Sequence, residues 1–261
     1  MSQAVQIEVR DRVAVLTLSR PETGNAIDQE MADGLLKAAL ACASDDGIRA
    51  VVLTGQGKSF CVGGDVKAFA AAGPGASTLV QELTASLHMA VARLARMDKP
   101  LVTAINGAAA GAGFGLAILG DVALGARSAK FAMAYGAIGL TPDGGATWLL
   151  PRLVGYRQAQ RLALTGARID AVEAERIGLI TQAIDDEALQ GQALTLAETL
   201  AQGPRRAFAR TRALLHQALS NGLETQLELE AQGIAEAVGL PEGREGITAF
   251  VARRPPDFGG L

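Results

Sequence analysis

Two glycine-rich segments are the part of the sequence best suited to chemistry on a bound ligand. Residues 59–65 read SFCVGGD and residues 106–113 read NGAAAGAG, and each segment follows a predicted strand. Small residues allow a ligand to approach the backbone closely, and a helix beginning near Ala112 would direct unpaired N–H groups at an oxygen atom. Two such loops could form an oxyanion hole, although tight turns and close helix packing would explain the same glycines.

Asp143 is a candidate acid or base, because it lies in a Pro-Asp-Gly-Gly stretch of residues 142–145. This position suits a turn or the N-cap of a helix. A carboxylate beside an oxyanion hole would also suit proton transfer from one carbon of an enolisable acyl group to another. The residues themselves leave both roles open.

Other reactive side chains have simpler interpretations. His88 and His216 lie in helical patterns, where we expect structural or surface roles, and Cys61 precedes the glycine pair. Trp148 and Tyr135 could line an acyl pocket, although Trp148 suits the core equally well. The sequence shows no spacing typical of a metal site, a catalytic triad or a phosphate-binding loop, so no metal is expected.

Composition restricts the class of protein. The chain has 261 residues, 49% of them hydrophobic and 20% charged, which is enough for one large domain or two small ones. A net charge of −3 and a pI near 5.5 give no general attraction to nucleic acid or to anionic membranes. Two cysteines are too few for a disulfide framework, and the N-terminus shows no targeting pattern, so a cytoplasmic location is expected. The uncharged segment 100–120 is interrupted by Asn106 and is not expected to span a membrane.

The elements that would position these residues follow from periodicity. Alternating residues predict a hairpin of strands 5–9 and 13–18, and Asp28 is expected to cap the next helix. Apolar runs predict strands at 48–54 and 101–105, separated by a helix with apolar residues at helical spacing from 80 to 94. This alternation predicts an α/β core with parallel strands. Beyond Gly144 the expected helices are 144–153, 156–164, 170–177, 185–203, 204–219 and 223–237.

Four motifs, in this order, resemble the signature of the crotonase (enoyl-CoA hydratase/isomerase) superfamily. They are Arg20-Pro21 with Asn25-Ala26, FCVGGD at 60–65, NGAAAGAG at 106–113, and IGLTPDGG at 138–145. The resemblance covers essentially the whole chain, and residues 142–152 look most like the ring-epoxide (1,2-epoxyphenylacetyl-CoA) isomerases of phenylacetate degradation. It implies an α/β fold, with a ββα spiral core over residues 1–195 and a helical trimerisation region over residues 196–261.

The resemblance also implies site residues. The N–H groups of Gly64 and Ala112 would hold the thioester oxygen, and Asp143 would carry a proton as the third catalytic residue. Cys61 would be a small packing residue. The residues implied to bind the acyl-CoA substrate are Asn25, Ala26, Gly64, Asp65, Val66, Lys67, Ala112 and Tyr135.

The departures from the family pattern are as informative as the matches. Hydratases of this family use two glutamates to activate water, and the corresponding residues here are Gly115 and Tyr135. We therefore expect an acyl-CoA isomerase that forms a homotrimer or homohexamer and needs no cofactor beyond the CoA of its substrate. The alternatives are an enoyl-CoA hydratase and a non-catalytic acyl-CoA-binding protein.

Overall fold

A computed structural model describes residues 4–261 of the chain. Two β-sheets and a set of surrounding helices form its framework. In chain order, the strands are Val5–Arg10 (β1), Val13–Leu18 (β2), Ala50–Gly55 (β3), Ser59–Cys61 (β4), Leu101–Ile105 (β5), Ala108–Ala110 (β6), Val122–Ala126 (β7), Lys130–Ala132 (β8), Ile169–Asp170 (β9) and Gln182–Ile184 (β10).

The helices within the described residues differ greatly in length. They are Gln29–Ser44 (α1), Val66–Ala72 (α2), Ala76–Arg96 (α3), Ala112–Ala117 (α4), Ala146–Val154 (α5), Tyr156–Thr165 (α6), Ala171–Arg176 (α7), Leu189–Ala201 (α8), Arg205–Ala218 (α9), Leu223–Gly239 (α10) and Pro241–Val251 (α11). Short 3-10 turns occur at Pro21–Thr23, Gly73–Gly75 and Gly136–Ile138.

The larger sheet has the spatial order β1-β2-β3-β5-β7-β10, and the smaller has the order β4-β6-β8-β9. In the larger sheet only β1 is antiparallel to its neighbour, and the other strands run parallel. Every residue of β3 and β5 is buried, as expected for central parallel strands covered on both faces. The short strands β4 and β6 run parallel in the smaller sheet and lead directly into the two glycine-rich loops. This arrangement brings the two loops to the same edge.

Local sequence explains where the main helices begin and end. The Asp28 carboxylate accepts the Met31 N–H at 2.9 Å and so caps α1, as expected. At the other end of α1, the fully buried Lys99 ammonium donates to the carbonyls of Cys42, Ala43 and Asp45. A cation at this end satisfies the unpaired carbonyls and complements the helix dipole.

Arg212 on α9 likewise binds the backbone carbonyls at the C-terminal end of α3. Its guanidinium donates to the backbone carbonyls of Leu94, Ala95 and Met97, and pairs with Asp121 at 2.8 Å. Helix α9 is therefore fastened to α3 by hydrogen bonds as well as by packing.

The predicted α/β class and the helical C-terminal region are confirmed. The hairpin, the central strands and the predicted helices are all present, with ends shifted by a few residues. The part after Gly144 is mostly helical, as expected, and it also contains β9, β10 and the final helix α11, which the sequence analysis did not predict. Strands of two or three residues are too short to show periodicity, and their positions depend on pairing with β8 and β7.

Two further expectations concern the organisation of the chain. Helix α8 runs without a break across the expected boundary between residues 195 and 196 and packs against β3 and β5, and the two-part division stays a prediction. Across residues 4–261 the structure contains no helix whose length and apolarity would let it span a membrane.

Candidate active site

The first glycine loop is held by a short backbone bridge. The Ile27 N–H donates to the Gly63 carbonyl at 2.7 Å, and the Asp65 N–H donates to the Ile27 carbonyl at 3.0 Å. Gly63 has a φ of 100°, which favours glycine, and Gly64 lies between the two bridging bonds. The bridge fixes the position of the Gly64 backbone.

The second loop touches the first so closely that side chains are excluded. Gly111 (φ 52°) precedes Ala112, the first residue of α4. A Cβ on Gly63 would lie 3.0 Å from the Ala110 carbonyl oxygen, and a Cβ on Gly113 would lie 2.1 Å from the Cys61 carbonyl oxygen. These contacts explain why glycine occupies both positions, and the packing interpretation of the glycines is therefore correct as well.

Packing does not use every donor of these loops. The Ala112 N–H lies in the first turn of α4, where amides have no partner within the helix. Within the part of the chain that the structure describes, neither this amide nor the Gly64 amide donates to a protein acceptor. Two backbone donors on adjoining loops are thus free to bind a ligand oxygen.

The side chain of Asp143 does not cap a helix. Helix α5 begins at Ala146, and its N-cap is Gly145, which has no side chain to offer. The Asp143 Oδ1 instead accepts a hydrogen bond from the Tyr135 hydroxyl at 2.5 Å. The Asp143 side chain is 24% exposed, so a ligand could still reach it. Of the two roles that the sequence left open, side-chain capping is excluded.

Tyr135 connects Asp143 to the second glycine loop. A Cβ on Gly111 would lie 4.0 Å from the Tyr135 ring. Burial raises the pKa of the Tyr135 phenol, and the neighbouring Asp143 carboxylate raises it further. The phenol therefore stays protonated and keeps its hydrogen bond to the carboxylate.

His88 lies next to Asp143, although the sequence analysis did not include it among the candidate site residues. Its Nε2 accepts the Gly144 N–H at 3.1 Å and lies 3.7 Å from the Asp143 Oδ2. We expected a structural or surface histidine, and half of its side chain is indeed exposed, but it contacts the turn that carries Asp143. The one signal in the sequence was its spacing on α3, which puts His88 on the same helix face as Ala92, four residues later.

A cavity of about 900 Å³ opens between α3, α5 and α9. It meets the candidate site at His88 and Gly144, whereas Gly64 and Ala112 do not line it. Trp148 lines its wall and is 43% exposed, so the alternative of a core tryptophan was wrong. The Trp148 ring stacks on His216 with centroids 6.0 Å apart.

The predicted acyl-CoA-binding residues lie near the first glycine loop. Asn25 is fully buried, and its side-chain amide donates to the carbonyls of Gln56, Ser59 and Phe60, which commits it to holding the loop. Next to it, Ala26 is half-buried.

The rest of the predicted binding segment continues into α2. The Asp65 carboxylate caps this helix by accepting the N–H groups of Lys67 and Ala68 at 3.0 and 3.1 Å. Val66 and the Lys67 side chain are exposed. Binding roles for Asn25, Ala26, Asp65, Val66 and Lys67 stay predictions.

The family resemblance matches Gly115 and Tyr135 to two glutamates of the hydratases. A Cβ on the buried Gly115 would lie 3.1 Å from the Gly144 carbonyl oxygen, which leaves little room for a side chain unless the turn after Asp143 shifts. Tyr135 takes the second position and faces Asp143. Asp143 is left as the carboxylate of this cluster.

A nucleophilic role for Cys61 is opposed by its surroundings. The side chain is buried, and desolvation raises the pKa of the thiol to about 12. A protonated thiol is a poor nucleophile, which agrees with the expected packing role. No group of three or more metal-ligating side chains occurs among residues 4–261.

Comparison with known proteins gives a consistent result. The family model described as Enoyl-CoA hydratase/isomerase matches residues 8–260. The chain is 40% identical to 1,2-epoxyphenylacetyl-CoA isomerase of Escherichia coli K12, over 100% of both chains. It is 42% identical, over 98% of both chains, to a Rhodobacter capsulatus protein named "Probable enoyl-CoA hydratase". The crystal structure of an enoyl-CoA hydratase from Polaromonas sp. JS666 superposes with a TM-score of 0.93 at 33% identity, covering 97% of this chain and 98% of that one.

Proposed function

Since the chain belongs to the enoyl-CoA hydratase/isomerase family, we propose that it is an acyl-CoA isomerase acting through a thioester enolate. The substrate's thioester oxygen binds between the N–H groups of Gly64 and Ala112. Asp143 moves a proton between two carbons of the acyl group. The relative named 1,2-epoxyphenylacetyl-CoA isomerase supports an isomerase, and the hydratase-named relatives keep water addition as the main alternative.

The observation that carries the proposal is the state of the Asp143 carboxylate. It caps no helix, it is partly exposed, and it receives the Tyr135 hydroxyl at 2.5 Å. Gly115, which the family resemblance matches to the first hydratase glutamate, has no side chain, and a Cβ there would lie 3.1 Å from the Gly144 carbonyl oxygen. One carboxylate is sufficient to take up and return a proton, whereas the family's water addition uses two.

The proposed reaction has two steps. The Asp143 carboxylate removes a proton from an acidic carbon of the acyl group, and the electron pair passes into the thioester carbonyl. The resulting enolate oxygen receives hydrogen bonds from the Gly64 and Ala112 amides, each worth roughly 2.7–4 kcal/mol in the transition state. The carbonyl then re-forms as the acyl group takes the proton back at a different carbon. Atoms and charge balance without any further reactant.

Other features of the proposal follow from this chemistry. No cofactor is needed, because backbone amides and one carboxylate perform both tasks. The cavity of about 900 Å³ meets the site at His88 and Gly144 and could receive the part of the acyl group beyond the reacting carbons. The cytoplasmic location stays a prediction.

The test is a parallel incubation with a 3-enoyl-CoA and with crotonyl-CoA, each followed by product analysis in deuterated water. We expect the 3-enoyl-CoA to become the 2-enoyl isomer, with solvent deuterium at the carbon that receives the returned proton, C4, and at the acidic carbon, C2, of recovered substrate. We expect crotonyl-CoA to gain no water. Hydration of crotonyl-CoA as the faster reaction would establish the hydratase alternative. Acyl-CoA binding with no turnover of either compound would indicate a non-catalytic member.

A further inference from the structure

His88 lies against the turn that carries the proposed base, and the proposed mechanism does not yet use it. We propose that His88 is a positioning residue whose neutral imidazole holds the Asp143–Gly144 turn in its working position. When the imidazole gains a proton, it releases the turn and pairs with the Asp143 carboxylate instead. The inference rests on the role of Asp143 proposed above.

The hydrogen bond to Gly144 requires one protonation state of the imidazole. The Gly144 N–H points at Nε2 with a separation of 3.1 Å, so Nε2 must offer a lone pair. A neutral imidazole with its hydrogen on Nδ1 can accept this bond, whereas an imidazolium has a hydrogen on both nitrogens and cannot. The observed geometry therefore corresponds to neutral His88.

The bond to His88 holds the Gly144 amide, while other hydrogen bonds hold Asp143. The Ala146 N–H donates to the Asp143 carbonyl at 3.1 Å, and the Tyr135 hydroxyl donates to the Asp143 carboxylate at 2.5 Å. Gly144 and Gly145 have φ values of 60° and 79°, a backbone conformation that glycines reach without strain but do not favour strongly. Gly145 provides no side-chain cap for α5. Within residues 4–261, His88 is the acceptor that the structure gives the Gly144 amide. Loss of this bond would leave the amide next to Asp143 without its acceptor.

A protonated His88 has a competing partner within reach. The Asp143 Oδ2 lies 3.7 Å from Nε2, so a shift of about 1 Å would form a charge-assisted hydrogen bond. The carboxylate would then receive a donor on each oxygen, from Tyr135 and from His88. Both oxygens that could take a proton from a substrate would then be occupied by hydrogen-bond donors. We therefore expect catalytic activity to be highest when His88 is neutral and to fall when it is protonated.

Among residues 4–261, Asp143 is the carboxylate that lies within 4.0 Å of His88, and other charged groups surround α3. They belong to α3 itself, to the α1 face packed on it, to α5 and to α9. These groups are Arg96, Asp33, Arg152, Arg212 and His216, with Tyr135 bonded to Asp143. Arg212 is already paired with Asp121 and with the end of α3, and Arg152 lies over Trp148. Asp143 is thus the group expected to exchange hydrogen bonds with His88.

The first test reads the tautomer directly, without turnover. The chain has two histidines, so a long-range ¹H–¹⁵N spectrum of histidine-labelled protein contains two imidazoles, and His88→Gln identifies which is which. At a pH where the imidazole is neutral, we expect hydrogen on Nδ1 and none on Nε2. The opposite tautomer would overturn the proposal, because Nε2 could not then accept the Gly144 amide.

The second test compares two substitutions. The amide oxygen of His88→Gln can accept the Gly144 N–H and does not titrate, whereas His88→Leu has similar bulk and no acceptor. We expect His88→Gln to keep most of kcat and to show a shallower acidic limb of kcat/KM than the parent. His88→Leu should lose kcat by about tenfold or more, within the ~10²-fold that a misplaced catalytic group can cost, with little change in KM.

Two results would contradict the positioning role. Full kcat in His88→Leu would show that the bond to Gly144 is dispensable, and an equal loss in both variants would show that the imidazole itself takes part in the chemistry. The parallel Asp143→Asn variant separates this inference from the proposed function. An inactive Asp143→Asn beside a fully active His88→Leu removes only the role of His88, whereas an active Asp143→Asn removes the proposed mechanism.

Discussion

Two aspartates near helix starts show how differently the same side chain can be used. The Asp170 carboxylate accepts the Glu173 N–H at 2.9 Å and caps α7 in the usual way. Asp143 has a similar sequence setting, yet its carboxylate accepts the Tyr135 hydroxyl and leaves α5 without a side-chain cap. The difference separates a structural role from a chemical one and allows a matched experiment.

We predict that Asp143→Asn binds acyl-CoA normally and loses isomerisation by a factor of about 10²–10⁴, the usual contribution of a general base. Asparagine has nearly the same size but is not basic, so solvent deuterium exchange at the substrate's acidic carbon should disappear as well. Product formation, deuterium exchange and binding of a non-reactive acyl-CoA analogue are the measurements.

Asp170→Asn is the control, because it changes an equivalent aspartate that only caps a helix. It should leave turnover unchanged. An Asp143→Asn enzyme that isomerises and exchanges at the parent rate would leave the reaction needing another base.

The sequence could suggest Asp143, Gly64 and Ala112 because each belongs to a local motif. It could not place His88, which is 56 residues from Gly144 along the chain and meets it only through the path of α3. The sequence also did not show how little room surrounds Gly115, the residue matched to a hydratase glutamate. The Gly144 carbonyl oxygen lies 3.1 Å from where a Cβ would start, so Gly115→Glu requires the turn to shift by a few tenths of an ångström. Contacts between residues far apart in the sequence depend on how the elements pack, and a local sequence pattern does not predict them.

At the scale of elements, the site depends on the close approach of the loops after β4 and β6. A Cβ on Gly113 would lie 2.1 Å from the Cys61 carbonyl oxygen, and one on Gly107 would lie 2.0 Å from the Lys58 carbonyl oxygen. Real Cβ atoms do not approach backbone oxygen so closely, so these two glycines hold α4 and β6 against β4. They are required for the shape of the site and not for flexibility.

We predict that Gly113→Ala lowers the free energy of unfolding by about 3 kcal/mol, the upper part of what overpacking usually costs. Turnover should fall with it, because the Ala112 amide moves with the start of α4. Urea unfolding and kcat measured on the same preparation test both effects.

Gly191→Ala is the control for Gly113→Ala, because the same change is made where there is room for a side chain. Gly191 is exposed within α8, and a Cβ there meets nothing within 4 Å. This change should raise the free energy of unfolding by about 0.5–1 kcal/mol, because alanine loses less backbone entropy than glycine in a helix. A stable and active Gly113→Ala protein would contradict the close packing described above.

Element length decides which parts of the fold were predictable. Strands β2, β3 and β5 and helices α1 and α3 contain enough residues for a period of two or 3.6 to appear. The strands β8, β9 and β10 have three residues or fewer and exist because partners in the two sheets lie beside them. Helix α11 begins at Pro241, a favoured first residue of a helix, and that start could have been recognised.

At the scale of the whole molecule, the C-terminal helices expose an unusual amount of apolar surface. Leu215, Leu223, Leu227, Ile234 and Phe250 are between 53% and 85% exposed. Exposed apolar side chains concentrated in one region are typical of an interface between subunits. The sequence of one chain does not show which surface of a second copy would cover these side chains. The number of subunits therefore stays a prediction.

We predict a homotrimer or a dimer of trimers at micromolar concentration, measured by light scattering. Leu227→Glu should weaken the assembly, because it places a charge in the expected interface. Val9→Glu is a matched control, since Val9 on β1 is exposed to 54% and Leu227 to 53%. A monomeric parent protein, or equal weakening by both changes, would contradict an interface formed by these helices.

The chain has one tryptophan, and Trp148 lies in the wall of the cavity between α3, α5 and α9. The His216 ring stacks on the indole, and the Arg152 guanidinium lies 4.1 Å from its centroid. The indole emission of this protein therefore arises at a single known place, without background from a second fluorophore of its kind. A ligand that enters the cavity changes the polarity around that indole, so the protein carries its own optical reporter of occupancy. Equilibrium binding can be followed in catalytically inactive variants with no label attached.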